Sequence, residues 1–297
     1  MVKIYANPQT DETLTSSSNE RKKKKILVGG AVRVIVLITV GYLAIPAILS
    51  TVGLHPHYDI PQFDLSGKRA LIVATSHSTL GQDGKATGVA ASELTVPFYA
   101  FQEAGMKVDI ASPKGGSVPV DPMTTSWPIA TSSDRRFMRD EEALHKLTHS
   151  LPVGEVDATD YDVVFLAGGW GAAYDLGQSA ELGTLMTQAN AKKAVIGGVC
   201  HGPLGLLQAK DTDGSPLVKG RKLTAVSDLQ IKQLGIEVTP LHPEAELRRA
   251  GAIYEKKTAF KDIFATHVVV DGNIVTGQNQ NSGAETAHRM MELVAKQ

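Results

Sequence analysis

From Val34 to Leu54 the chain carries no charged residue, and most of these 21 positions are Val, Ile, Leu, Ala or Gly. A helix needs ~20 such residues to cross a bilayer. The run has no polar face, so it reads as a transmembrane helix. Arg33, just before it, can snorkel to the headgroups, and Pro46 is tolerated within a membrane helix. A buried core helix and a cleaved signal peptide are the alternatives. The run exceeds the usual signal core of about 7–15 residues, and no clear small-x-small cleavage site follows it. Residues 26–54 are therefore assigned as an uncleaved signal anchor. Residues 1–25, polar and ending in Arg21, Lys22, Lys23, Lys24 and Lys25, are expected to be a disordered tail. Such a basic flank stays cytoplasmic, which places everything after about residue 55 on the extracytoplasmic side. Residues 55–66, with two prolines, read as a short stiff linker. His55 and His57 could bind a metal there, although a solvated linker is the simpler reading.

The rest of the chain, residues 67–297, must then make one soluble domain. Apolar runs at 69–75, 107–112, 161–166 and 194–199 read as buried strands. Helical spacing separates them at 88–104 and near 179–190. Strands alternating with helices imply parallel βαβ units and a sheet covered on both faces. His267 to Val275 reads as a hairpin around Asp271-Gly272-Asn273, and a last helix covers roughly 282–296. Residues 113–153, rich in proline and polar residues, fit a cap-like insertion at the carboxyl ends of the strands. The expected fold is thus α/β: a doubly wound, mostly parallel, flavodoxin-like sheet preceded by one transmembrane helix. A formal net charge of −1 gives no reason to expect a nucleic-acid partner.

Cys200 is the single cysteine, so no internal disulfide framework or multi-cysteine metal site is available. An isolated cysteine is usually a small core hydrophobe. Here it stands in Gly198-Val199-Cys200-His201-Gly202-Pro203, after a buried strand and before a helical segment, Leu204 to Ala209. This is the layout of a nucleophile elbow, whose strained turn needs small residues two before and two after the nucleophile. A helix N-terminus and an adjacent histidine are expected to lower the thiol pKa. Gly168-Gly169-Trp170-Gly171 ends another strand and could present N–H groups to an oxyanion, or be a plain turn. Glu93, early in the first helix, is either a solvated, dipole-matching residue or, if near Cys200, a proton shuttle.

Taken together, these motifs resemble the ThiJ/PfpI superfamily, with its class I glutamine amidotransferase-like fold, and within it the glyoxalase III and chaperone-like branch. The matching stretches are Thr75-Ser76-His77, Thr87-Gly88, Ser92-Glu93-Leu94 with Pro97, Ala104-Gly105, Ala111 to Gly116 and Pro119 to Pro122. Further along come Gly168 to Gly171 with Asp175-Leu176, Val199 to Pro203, and Thr276-Gly277-Gln278-Asn279. The resemblance covers Lys68 to the C-terminus. It implies Cys200 as nucleophile, His201 as base and Glu93 hydrogen-bonded to the thiol. It also implies an acidic residue orienting the histidine, best matched by Asp228, which could instead be only a helix cap; Glu237 lies too far along. Gly168, Gly169, Trp170 and Gly202 would line the substrate. Trp170 stands where the branch usually has His, and Ala167 where it has Pro, which changes the wall of the pocket.

The implied activity is that of a cofactor-independent enzyme on small reactive carbonyls, converting methylglyoxal to lactate through a Cys200 hemithioacetal. No metal or other cofactor is expected, and Gly168 to Gly171 lacks the dinucleotide fingerprint. A homodimer is the expected assembly. The alternatives are a stress holdase or redox sensor using the same thiol, or a glutamine amidotransferase-like or peptidase-like hydrolase.

Overall fold

The computed structural model describes residues 11–82, 84–236 and 238–297; Glu237, weighed above against Asp228, lies outside them. Two compact units result, one ending at Leu49 and one running from Ser50 to Gln297.

The first unit is helical. Helix α1 spans Asp11–Thr51, so the polar stretch from Asp11 to Lys25 is continuous with the apolar run rather than disordered. Its segment Val28–Thr51 has a mean hydropathy of 2.3 and is long and apolar enough to cross a membrane. Large apolar side chains such as Leu37 and Leu43 are exposed along it. A helix that is apolar all round suits burial or lipid rather than water.

The second unit is built on a seven-stranded sheet. In chain order its strands are β1 (Arg69–Val73), β2 (Lys107–Ser112), β3 (Leu151–Pro152), β4 (Val163–Leu166), β5 (Val195–Val199), β6 (Val268–Asp271) and β7 (Ile274–Gly277). Across the sheet they run β6-β7-β5-β4-β1-β2-β3. All neighbours are parallel except the β6–β7 hairpin, where Val268 pairs with Gly277. Alternate residues of one strand enter different cores. Ala70 and Ile72 join Leu94, Phe98 and Met290 on one face. Leu71 and Val73 join Leu182, Leu185 and Met186 on the other. This two-sided burial is why the strands read as unbroken apolar runs.

Helix α2 (Ala91–Glu103) covers the first face together with the C-terminal helix Gly283–Val294. The insertion expected at 113–153 follows α2. Its early part meets Thr87 to Ala91 through the Val89–Val120 bridge, the Thr87–Asp121 hydrogen bond and the Ala91 amide donating to Thr124 Oγ1. Its later part carries the helix Ser132–Phe137, whose Asp134 accepts from Thr95 on α2.

Residues 55–66 are packed on the domain. The His55 amide donates to Asn281 Oδ1, Tyr58 Oη meets His288 Nδ1 at 2.6 Å, and Leu65 is buried.

Candidate active site

Strand β5 lies between β4 and β7, and Cys200 is the first residue past its carboxyl end. The Cys200 φ is 60°, a left-handed conformation that a side chain rarely adopts. Two backbone hydrogen bonds hold it there: its N–H donates to Gly277 O (3.1 Å), and its carbonyl accepts from the Val226 amide (3.0 Å). Strain of this kind persists only where the surroundings over-determine it. Gly198 and Gly202 show why the elbow needs small flanks. A Cβ on either would lie 2.1 Å from the Leu166 carbonyl oxygen. The local sequence thus forces a sharp turn against β4, and the turn presents the sulfur.

Three side-chain groups converge there. His201 Nδ1 lies 3.4 Å from Cys200 Sγ. The Glu93 carboxyl is hydrogen-bonded to the Cys200 thiol. Glu93 is the third residue of α2 but is only 1% exposed, so it is a buried site group and not a solvated helix-start carboxylate. Burial pushes its pKa up to about 8, partly countered by the Cys200 hydrogen bond and the amides of Gly168 and Gly169. Burial pushes the His201 imidazole down to about 3, helped by the charge of His242.

The thiol corrects an expectation. Burial and the adjoining Glu93 push Cys200 up, against weaker lowering by the amides of Gly169 and His201. The expected stabilisers are weak for physical reasons. The segment after the elbow is a five-residue 3₁₀ turn, Gly202–Leu206, not an α-helix with a developed dipole. His201 is neutral, so it supplies no cation. The resting site is therefore thiol, neutral imidazole and a largely protonated carboxyl.

Gly168 and Gly169 are where the elbow needs them, but their amides approach the Glu93 carboxyl, and that of Gly169 also approaches Cys200. A Cβ on Gly168 would sit 2.5 Å from Glu93 Oε2 and 2.7 Å from the His201 amide. Trp170 is half-buried beside them, and Gly202 is buried on the far side of the elbow. Among the described residues, five buried side-chain polar atoms lack a hydrogen-bond partner; two are Glu93 Oε2 and His201 Nε2. Both belong to the groups flanking the thiol. Buried polar atoms are normally satisfied, so an orphan needs an explanation, and a catalytic role is one.

Asp228 is not brought to His201. It opens the helix Asp228–Gln233 behind the Ser227 cap, is half exposed, and its Oδ1 accepts from or shares a proton with His242 Nδ1 at 3.1 Å. Ser227 and Gln230 form a capping box, and this fixes Asp228 at the outer first turn. His242 escaped the sequence reading, and Asp175 was named there only as part of a matching stretch. His242 stands between Asp228 and the electrostatic environment of His201, with no local signal to mark it. Asp175 is half-buried and accepts from Thr75 Oγ1 and the Ser76 amide, fixing the loop after β1.

Comparison with known proteins identifies the family. Residues 85–293 match the family model described as DJ-1/PfpI family. The chain belongs to the DJ-1/PfpI family. Glyoxalase 3 of Candida albicans is 30% identical over 227 residues, covering 74% of this chain and 95% of that protein. A glutathione-independent glyoxalase of Schizosaccharomyces pombe is 29% identical over 237 residues, covering 76% and 96%. Among solved structures, glyoxalase III of Candida albicans aligns with a TM-score of 0.69 at 28% identity, over 76% of this chain and 97% of that one. The Francisella tularensis Rapid Encystment Protein 24 kDa aligns with a TM-score of 0.71 at 29% identity, over 76% and 99%.

Proposed function

We propose that the chain is a membrane-anchored, glutathione-independent glyoxalase that converts methylglyoxal, or a closely related 2-oxoaldehyde, to the 2-hydroxy acid. The observation that carries this reading is the burial of Glu93 against Cys200 with Oε2 left unpartnered. An acyl-transfer hydrolase needs a nucleophile and an oxyanion hole. A redox-neutral isomerisation needs in addition a proton-transfer group beside the nucleophile, and Glu93 has that position.

The steps balance without an external oxidant or reductant. The Cys200 sulfur adds to the aldehyde carbon while its proton, relayed through His201, ends on the former carbonyl oxygen, giving a hemithioacetal. Glu93, as carboxylate, removes the hydrogen from that carbon and returns it to the neighbouring carbon, while the hemithioacetal hydroxyl gives its proton to the ketone oxygen and becomes the thioester carbonyl. The product is a 2-hydroxy thioester. Water then adds to the thioester carbonyl and the thiol leaves, releasing the hydroxy acid and regenerating Cys200. The amides of Gly169 and His201, which already face the sulfur, suit the oxyanion of this last step. Trp170 replaces a polar wall by an apolar one and favours a substrate with an alkyl end.

The apolar segment Val28–Thr51 and its basic flank support a single-pass anchor with the N-terminus cytoplasmic and the domain outside. The test uses the full chain in detergent. Lactate should form from methylglyoxal without glutathione. Aggregation suppression by a chain that turns over no 2-oxoaldehyde would replace the enzyme by a holdase.

A further inference from the structure

The loop Lys256-Lys257-Thr258-Ala259-Phe260-Lys261 carries a Phe that is 100% exposed. A mobile loop could fold such a ring away, but this one is held at both stems by buried amide side chains. Gln278 brackets Lys257, accepting from its amide (2.8 Å) and donating to its carbonyl (3.0 Å). Gln230 donates to the Asp262 carbonyl (2.6 Å), and Asn279 donates to the Ala265 carbonyl (2.7 Å). Asp262, itself buried, accepts from the Ala259 amide and closes the turn. The scaffold therefore presents Phe260 to the outside.

The exposed charges that flank it, Lys257 and Lys261, are both positive, while the one carboxylate of the turn, Asp262, is buried. Lys256 is neutralised by Glu244. Lys257 and Lys261, on either side of Phe260, are exposed, and neither has a carboxylate partner among the described residues. An exposed aromatic ring flanked by two lysines suits the boundary of a bilayer, where the ring can enter the acyl edge and the ammonium groups reach headgroups.

Chain connectivity supplies the second observation. The apolar helix ends at Thr51, and Gly53 follows two residues later. Gly53 packs against this loop's stem: its carbonyl accepts from Asn281, which also reaches the Ile263 carbonyl, and a Cβ at Gly53 would touch Phe264. The loop's base is thus tied to the residue at which the chain leaves the apolar helix.

We infer that Phe260, Lys257 and Lys261 form a second membrane contact: the ring enters the interface of a bilayer bearing acidic lipid, and the two lysines pair with its headgroups. The contact would fix the orientation of the catalytic domain at the bilayer. It rests on the reading of Val28–Thr51 as a membrane span.

The test uses the full chain with Phe260→Cys in a Cys200→Ser background, labelled with an environment-sensitive fluorophore and placed in nanodiscs holding one copy. Discs contain phosphatidylcholine alone or with about three-tenths phosphatidylglycerol. The expected result is blue-shifted emission, quenched by spin-labelled lipid, in the acidic discs, and water-like emission from the same label at Asp213→Cys. K257Q and K261Q should each lower the ratio of inserted to free loop by about fivefold. Water-like emission at position 260 in acidic discs overturns the inference. So does a blue shift that needs two copies in a disc, which would assign the ring to a second copy of this chain. Alkaline carbonate extraction tests the anchor separately: a chain released from membranes overturns the span reading and this inference with it, whereas a retained chain with a water-exposed label overturns the contact alone.

Discussion

Glu93 and Cys200 share a hydrogen bond, and both are buried, 1% and 7% exposed. The pairing links the amino end of α2 to the elbow after β5. Neither group is set to ionise at neutral pH, because burial raises both. Charge must therefore appear during the reaction rather than before it, and this has consequences for rate.

The first consequence is the pH profile. Glu93 must be a carboxylate to remove a proton from carbon, and with a pKa of about 8 only about a tenth is ionised near pH 7. The Cys200 thiol, also raised, moves in the same direction. His201, lowered to about 3, stays neutral across this range and gives no descending limb. The kcat/KM for methylglyoxal should therefore climb between about pH 6 and 9, by about tenfold per unit at the acidic end. A bell with its maximum near neutrality would indicate a thiolate–imidazolium pair instead.

The elbow glycines should be intolerant for a steric reason. Gly202→Ala or Gly198→Ala drives a Cβ to 2.1 Å from the Leu166 carbonyl oxygen. Overpacking of a tight interior costs about 1–3 kcal/mol, and the displaced sulfur should lose most turnover. Thermal unfolding and kcat measured together would show it. A variant with native Tm and native rate would mean that the turn has room.

Asp228 should matter little to chemistry, since its carboxylate contacts His242 and not His201. Asp228→Asn is expected to change kcat by less than about threefold, whereas loss of a group that orients a catalytic imidazole can cost up to about 10⁴-fold. A loss of tenfold or more would restore the orienting role.

Much of this was legible in the chain. The strands were visible as apolar runs because both faces of the sheet are covered, and the β6–β7 hairpin because Asp271-Gly272-Asn273 is a tight-turn signal with Gly272 at φ 60°. The elbow was visible because its requirements are local: Gly198, Cys200, His201 and Gly202 stand within five positions. The contact of Glu93 with Cys200 was not visible in spacing, since it is made by the packing of α2 over the sheet, and only the family resemblance suggested it. The thiol's direction was misjudged because burial outweighs a short 3₁₀ turn, and burial is a tertiary property. Asp228 pairs with His242 rather than His201, and Ser227-x-x-Gln230 carries the capping signal that sets it at the outer first turn. The apolar Ile60, Phe63 and Leu65 likewise marked residues 55–66 as packed chain rather than solvated linker.

The central claim is a division of labour: Cys200 makes the covalent bond and Glu93 carries the proton. Intact-mass spectrometry of the full chain after exposure to methylglyoxal tests it most directly. Glu93→Gln keeps the nucleophile but cannot exchange a proton, so it should accumulate one methylglyoxal on Cys200 while turnover falls by about 10²–10⁴-fold. Cys200→Ser should show neither adduct at position 200 nor turnover, because a hydroxyl is a far poorer nucleophile. A Glu93→Gln protein that turns over at the wild-type rate, or a Cys200→Ser protein that still makes lactate, would contradict the account.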